Sequence, residues 1–326
     1  MEYLSGEETK AKITHHSSKG EPFLFFVDFY LKKGMVLRPE EAALQGIFFN
    51  ISGISNNTNI PFTEAAFGFE SFPVSFDLYE KAFNNVMSHL KRGDTYLLNL
   101  TFPTKLKTEL SLEMLFQRSN ARYKLLCDDQ FLVFSPEIFI KIEDCSISSF
   151  PMKGTIDASV PDAEKKILED EKEFFEHNTI VDLIRNDLAM VSTGVSVKRF
   201  RYLDRLITNR KELLQVSSEI CGKLPADWKS HLGEIIFTLL PAGSVTGAPK
   251  LKTVEIISDT EIYDRGFYTG ICGYFDGHKL DSGVMIRFIE NTIGSLVFKS
   301  GGGITALSDA RKEYEEMIHK VYVPVV

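Results

Sequence analysis

The chain has 326 residues, 44% hydrophobic and 25% charged, the composition of a globular protein long enough to bury a large core. Its 45 acidic residues outnumber 37 Lys and Arg for a net charge of −8, which argues against nucleic acid or an anionic membrane as the main partner. No apolar run approaches the roughly 20 residues that span a bilayer, and the polar, acidic start MEYLSGEETKAK is no secretory signal.

The first ~65 residues carry short apolar runs such as PFLFFVDFYL and GIFFNIS, which read as strands. Residues 75–90, SFDLYEKAFNNVMSHL, form an amphipathic helix with Leu78, Ala82, Phe83, Val86 and Leu90 on one face, stopped by Gly93-Asp94. Strands follow at TYLLNLTF, QFLVFSP, IFIKIED and SISSFPM. A long helix is expected after Pro161, running through DAEKKILEDEKEFFEHNTIVDLIRND. Strands return at SVKRF and LLQVSSEICGKL, then a helix near 229–239, the loop LPAGSVTGAPK, and a helix starting close to Lys250. FYTGICGYFD, SGVMIRFIEN and SLVFKSGGGI read as adjacent strands before a final helix near Ser308. The elements cluster rather than alternate, which points to an α+β protein with large antiparallel sheets. No linker or repeat divides the chain, so residues 1–326 are expected to form one domain, with 1–74 a short strand-rich part and 75–326 the core. Cys127, Cys145, Cys221 and Cys272 lie far apart and read as reduced thiols of a soluble cytoplasmic protein.

Several residues can carry chemistry. Glu173 and Glu176 share one wedge of the long helix, about 80° wide at ~100° per residue, with Ile180 and Leu183. Glu313 and Glu316 repeat the spacing on the last helix, beside Tyr314, Met317 and Ile318 and ahead of Lys320. Each pair alone reads as a solvated acidic face. Two pairs facing each other would suit Mg²⁺, a hard ion that keeps waters and binds substrate oxygens. LPAGSVTGAPK and KSGGGIT are glycine-rich loops that can offer backbone N–H groups to an anion, with Lys250 adding charge to the first. Neither is a Walker or dinucleotide motif. Tyr268 and Arg287, on strands between them, could bind carboxylates, but strand periodicity alone favours structural roles. Glu137, after a proline between two apolar segments, reads as a strand-turn carboxylate or, if buried, a protonated acid. Lys153, in SSFPMKGTIDAS, reads as a strand-end charge or a nucleophile.

Taken in order, GDTYLLNLT, FSPE, PMKGT, EHNTIVDLIRND, PAGSVTGAPK, YTGICGYF, IRF and GGGI…SD…EYEE resemble the chorismate-utilising enzymes from about Ser75 to the C-terminus. That family comprises the anthranilate, aminodeoxychorismate, isochorismate and salicylate synthases. The resemblance implies two facing antiparallel sheets flanked by helices. It implies Glu176 and Glu316 as Mg²⁺ ligands, supported by Glu173 and Glu313, and Glu137 as the acid that protonates the departing C4 hydroxyl. Substrate contacts are implied at Tyr268, Arg287, Lys320, Ser244, Thr246, Gly247, Gly301 and Gly302. Lysine at 153, where anthranilate synthases typically carry alanine, and GSVTGAPK rather than G-T-x-S-G-A-P-K both resemble the aminodeoxychorismate branch. In that branch the lysine attacks C2 and ammonia from a separate glutamine amidotransferase subunit adds at C4. The product is 4-amino-4-deoxychorismate, on the route to 4-aminobenzoate and folate. The alternatives are an anthranilate synthase component and an inactive scaffold that holds an amidotransferase. The chain departs from the pattern at Leu97, where glutamine is frequent and isochorismate and salicylate synthases carry a lysine base. It departs again at Leu214, where histidine is common, and after Lys153-Gly154-Thr155, where arginine and proline often follow. The short N-terminus implies loss of most of the tryptophan-binding subregion.

Overall fold

A computed structural model describes residues 2–56, 68–207, 212–292 and 295–324, so residues 57–67 of the expected N-terminal strand-rich part lie outside the described residues. Among those residues stand two antiparallel sheets, of ten and nine strands. The first runs in space from Leu4–Ser5 through Lys33–Leu37, Phe23–Val27, Ile271–Phe275, Leu280–Val284, Ile138–Glu143 and Ser146–Ser149 to Glu212–Lys223 and Met152–Asp157, with Thr193–Ile207 also paired to Glu212–Lys223. The second is built on Leu97–Lys107, Ser295–Ile304, Phe288–Thr292, Phe131–Ser135, Tyr123–Cys127 and Ile47–Ile51.

Aromatic and branched side chains of both sheets meet in one core. Phe26 of the first sheet packs edge-on against Phe131 of the second at 5.9 Å, and Phe131 stacks on Phe288 at 5.1 Å. All three are essentially inaccessible to water, and each such side chain contributes about 1.5–3 kcal/mol through burial. Helices cover the outer faces. Gly6–Lys19, Leu232–Leu239 and part of Glu171–Ala189 pack on the first sheet, and Phe76–Arg92, Lys250–Thr260 and Ala310–His319 on the second. The α+β expectation, with facing sheets and flanking helices, is borne out.

Some expected elements differ. The helix Phe76–Arg92 starts and stops as read, with Ser75 accepting from Leu78 N and Gly93 in the left-handed region at φ 78°. The N-terminal helix Gly6–Lys19 was not read. Its capping box of Ser5 and Glu8 is present, but it buries a small-residue face, Gly6, Thr9, Ile13 and Ser17. The expected long helix is two, Ala163–Glu169 and Glu171–Ala189, because Asp170 turns extended and caps the second by accepting from Glu173 N. The helix expected near 229–239 opens as a 3₁₀ turn, Trp228–His231, before Leu232–Leu239. SGVMIRFIEN is not one strand: Leu280–Val284 belongs to the first sheet and Phe288–Thr292 to the second. No helix among the described residues is long and apolar enough to cross a membrane.

Candidate active site

Three site residues sit where the chain passes from one sheet to the other. Pro136 and Glu137 alone separate Phe131–Ser135 of the second sheet from Ile138–Glu143 of the first. A proline offers no N–H to a ladder, so the pairing ends there at little cost. Met285, Ile286 and Arg287 make the reverse passage, with Arg287 at φ 53°, a conformation that costs a non-glycine residue about 1 kcal/mol or more. The two passages are tied together: Val284 N donates to Glu137 O at 3.1 Å and Phe134 N to Arg287 O at 3.2 Å. Tyr268 joins them through Thr269, whose N donates to Met285 O at 2.9 Å. The Arg287 guanidinium lies 5.0 Å over the Tyr322 ring, and its Nε is buried without a hydrogen-bond partner among the described residues.

Lys153 enters from the edge of the first sheet. Met152–Asp157 pairs with Glu212–Lys223, but the register slips between Met152 and Thr155, so Lys153-Gly154 bulges. Gly154 adopts φ +89°, and a Cβ there would stand 3.2 Å from Glu173 Oε2. The bulge aims Lys153 at the helix Glu171–Ala189, where its Nζ lies 2.6 Å from Glu176 Oε2. Burial pulls the ammonium's pKa down, but Glu176, Glu173 and Glu316 together outweigh it and hold the pKa above the ordinary lysine value.

The last helix, capped by Asp309, supplies another part of the wall. Glu313 is buried and accepts from Ser308 Oγ at 2.9 Å. Lys320 Nζ lies 2.7 Å from Glu316 Oε1 and donates to Gly301 O at 2.9 Å. Burial lowers the Lys320 pKa, Glu316 opposes that, and the net shift is downward. The glycine triplet, expected both at the end of the strand SLVFKSGGGI and in a loop, is strand, part of Ser295–Ile304 paired with Leu97–Lys107. A Cβ on Gly302 would lie 3.4 Å from Glu313 Oε2, 3.8 Å from Lys320 Nζ and 4.0 Å from Glu316 Oε1. Glycine thus leaves a space bordered by both carboxylates and the ammonium.

The four glutamates of the two helices share one cavity of about 1410 Å³ with Glu137, Lys153, Ser244, Tyr268, Arg287, Gly301, Gly302 and Lys320. No three acidic, His or Cys side chains among the described residues form a ready-made cation cage; Lys153 pairs with Glu176 and Lys320 with Glu316. The donor set still fits Mg²⁺. It offers carboxylate oxygens from two helices that line one cavity, and this ion is ordinarily bound by one or two carboxylates plus waters and substrate oxygens.

Ser244 Oγ donates to Glu137 Oε1 at 2.5 Å. Burial pushes the Glu137 carboxyl up, while Ser244, Arg287 and Lys320 pull it down less strongly, so it is held above its ordinary range. The rest of the loop faces inward. Thr246 is fully buried with Oγ1 donating to Ala242 O at 2.8 Å, and Gly247, at φ +132°, presses so close to Leu97 O that a Cβ would clash at 1.8 Å. Neither is among the residues that line the cavity, unlike the other expected substrate contacts. Lys250 is likewise spent, 2.9 Å from Asp187 Oδ2 and donating to Leu239 O at 2.6 Å. Beneath the loop the fully buried Arg265 donates to both Glu261 oxygens, to Val245 O at 2.9 Å and to Asn99 O at 2.6 Å. It thereby fixes the loop to the strand Leu97–Lys107.

Sequence reasoning missed three wall residues. Asn99 Oδ1, Gln215 Oε1 and Ser217 Oγ are buried without hydrogen-bond partners among the described residues, and all three line the cavity. Strand alternation was the available signal: Leu213, Gln215 and Ser217 face the cavity, while Leu214 is buried at 2% exposure and sits opposite Ile156 in the register. Leu97 is on the wall, its Cδ1 3.1 Å from where a Gly303 Cβ would be.

Residues 37–325 match the family model described as chorismate binding enzyme. A protein of Haemophilus influenzae named "Uncharacterized PabA-like protein" is 50% identical over 311 residues, 95% of this chain and 94% of its own length. Aminodeoxychorismate synthase component 1 of Salmonella typhimurium is 33% identical over 257 residues, 74% of this chain and 56% of that protein. Among solved structures, the menaquinone-specific isochorismate synthase MenF of Escherichia coli superposes with a TM-score of 0.74 at 16% identity, covering 98% of this chain and 82% of its own, a likeness of fold. Arrangement and sequence agree that this chain belongs to the chorismate binding enzymes.

Proposed function

We propose that the protein aminates chorismate at C4, giving 4-amino-4-deoxychorismate for 4-aminobenzoate and folate synthesis, with ammonia delivered by a glutamine amidotransferase subunit. The observation that carries this reading is Lys153 projecting into the same cavity as Glu137, a primary amine and a carboxyl of raised pKa at one site. The similarity to aminodeoxychorismate synthase component 1 supports it. So does Leu97, an apolar side chain where a water-activating lysine would be needed for isochorismate chemistry.

In this reading Arg287, Lys320 and Tyr268 take the substrate carboxylates, and the backbone at Gly301-Gly302 lets the substrate approach closely. Glu137, kept protonated by burial, gives its proton to the C4 oxygen as the C–O bond breaks. Lys153 Nζ, once deprotonated, attacks C2, and ammonia then attacks C4 and expels the lysine amine. A free lysine is neutral in only about one molecule in 2,500 at pH 7, so Lys153 must leave Glu176 to react. Glu176 and Glu316, with Glu173 and Glu313 behind them, would hold Mg²⁺, whose charge offsets that of the dianionic substrate. Four free cysteines agree with a reducing, cytoplasmic setting.

The test is to incubate the protein with chorismate, ammonium and MgCl₂, add an aminodeoxychorismate lyase, and identify the aromatic product. 4-Aminobenzoate is expected, absent with Lys153→Ala and absent after chelation of the metal. Anthranilate or salicylate as product would replace this reading.

A further inference from the structure

Glu137 has two sides. One opens on the substrate cavity; the other faces a separate cavity of about 20 Å³, room for a single water. In the proposed chemistry substrate occupies the first side when the carboxyl has given up its proton. The small cavity is lined by Glu137, Ser244, Asp187 and Ser149 among apolar neighbours such as Leu188 and Val284. Ser149 Oγ donates to Phe139 O at 2.9 Å, and Ser244 Oγ donates to Glu137 Oε1, so both hydroxyl oxygens keep acceptor capacity. A buried water needs two to four polar partners, and four of the residues lining this cavity carry polar side chains.

Asp187 stands at the far end, on the last turn of the helix Glu171–Ala189. Its carboxylate pairs with Lys250 Nζ at 2.9 Å, and the side chains keep 11% and 16% exposure respectively, a narrow contact with solvent. Nothing in the proposed chemistry uses this pair.

We propose that the cavity holds one water bridging Asp187 to the Ser244–Glu137 pair, and that Asp187 is the positioning residue through which Glu137 regains its proton between turnovers. This rests on Glu137 being the acid. After Glu137 has protonated the departing hydroxyl, the Ser244 Oγ proton moves to Glu137 Oε1. Asp187 takes one proton from solvent as its ion pair with Lys250 opens, the water gives a proton to Ser244 Oγ, and Asp187 passes its own proton to the water. The net transfer is one solvent proton to Glu137. The charged groups facing Glu137 are Arg287 and Lys320, with the Tyr268 phenol nearby; Lys250 faces Asp187. Burial raises the pKa of both carboxyls, which suits groups that must carry a proton near neutrality.

Two measurements test this. A high-resolution crystal structure of the wild-type protein should show one ordered water within hydrogen-bonding distance of Asp187 and Ser244; a dry cavity overturns the proposal. Asp187→Asn keeps the shape and an acceptor for Lys250. It should lower kcat tenfold or more and enlarge the solvent deuterium isotope effect on kcat, while kcat/KM for chorismate changes less than threefold. The split arises because proton return follows C–O cleavage. A parallel fall in kcat and kcat/KM with an unchanged isotope effect means that Asp187 only braces the loop, and sinks the relay. Glu137→Gln reports separately on the acid itself: retained turnover there removes the underlying reading, whatever the cavity holds.

Discussion

Lys153 Nζ and Glu176 Oε2 lie 2.6 Å apart, so the amine placed to attack substrate is held by a carboxylate placed to hold a cation. The pairing keeps the lysine charged, because the glutamates around it outweigh burial. Replacing Glu176 by Gln removes the leading favourable charge and leaves burial in command, so the Lys153 pKa should fall. Labelling with trinitrobenzenesulfonate at mildly alkaline pH, read by peptide mass spectrometry, should then proceed about fivefold faster or more at Lys153. Slower labelling would mean that Glu176 does not set the protonation of this lysine.

Ser244 acts in the opposite sense on Glu137. Its hydrogen bond lowers a carboxyl pKa that burial has raised, so Ser244→Ala should raise that pKa further. The acid works protonated, and activity is lost as pH climbs through its pKa. The alkaline limb of kcat/KM should therefore move to higher pH in the variant, with a lower plateau. A limb displaced to lower pH would contradict the assignment of the limb to Glu137.

Gly302 tests the space rather than the charges. An alanine there meets its nearest neighbour, Glu313 Oε2, at 3.4 Å, an ordinary contact, so the fold should tolerate it. The methyl occupies room bordered by Glu313, Glu316 and Lys320. KM for chorismate should rise on the order of tenfold, with thermal midpoint nearly unchanged. An unaltered KM would place the substrate elsewhere in the cavity.

The sequence showed most of what periodicity and punctuation can show. The helix Phe76–Arg92 has a full apolar stripe, a serine cap and a terminal glycine, and it was read nearly to the residue. Gly6–Lys19 was invisible because its buried face is made of Gly6, Thr9 and Ser17 around one isoleucine, which carries no apolar signal. The reading of 282–291 as one strand failed for another reason. Apolar residues continue without interruption through Met285-Ile286, and the change of sheet is visible only in the backbone at Arg287. The site followed the same divide. Motif order brought Lys153, Glu137 and the two helix pairs to one cavity. Thr246 and Gly247 turned inward because their hydroxyl and φ serve the loop itself.

Beneath that loop, Arg265 and Glu261 form an ion pair with side chains at 0% and 1% exposure. Arg265→Met leaves a buried carboxylate uncompensated and should cost about 3–5 kcal/mol in urea unfolding. Replacing Glu261 by Gln in the same chain should recover part of that loss. A single variant as stable as the wild type would mean that water reaches the pair.

Glu137 and Arg287 occupy two of the passages between the sheets, and each belongs wholly to neither. The reactive geometry is therefore a seam, and it keeps its shape only while the two sheets hold their mutual alignment. A slight slide of one sheet on the other leaves every strand paired and most of the core dry, yet moves the acid relative to the guanidinium. On gentle heating or at low denaturant, turnover should fail while circular dichroism still reports an intact fold. Substitutions at the inter-sheet contacts of Phe26 and Phe131, far from any reacting atom, would then be felt first as lost rate.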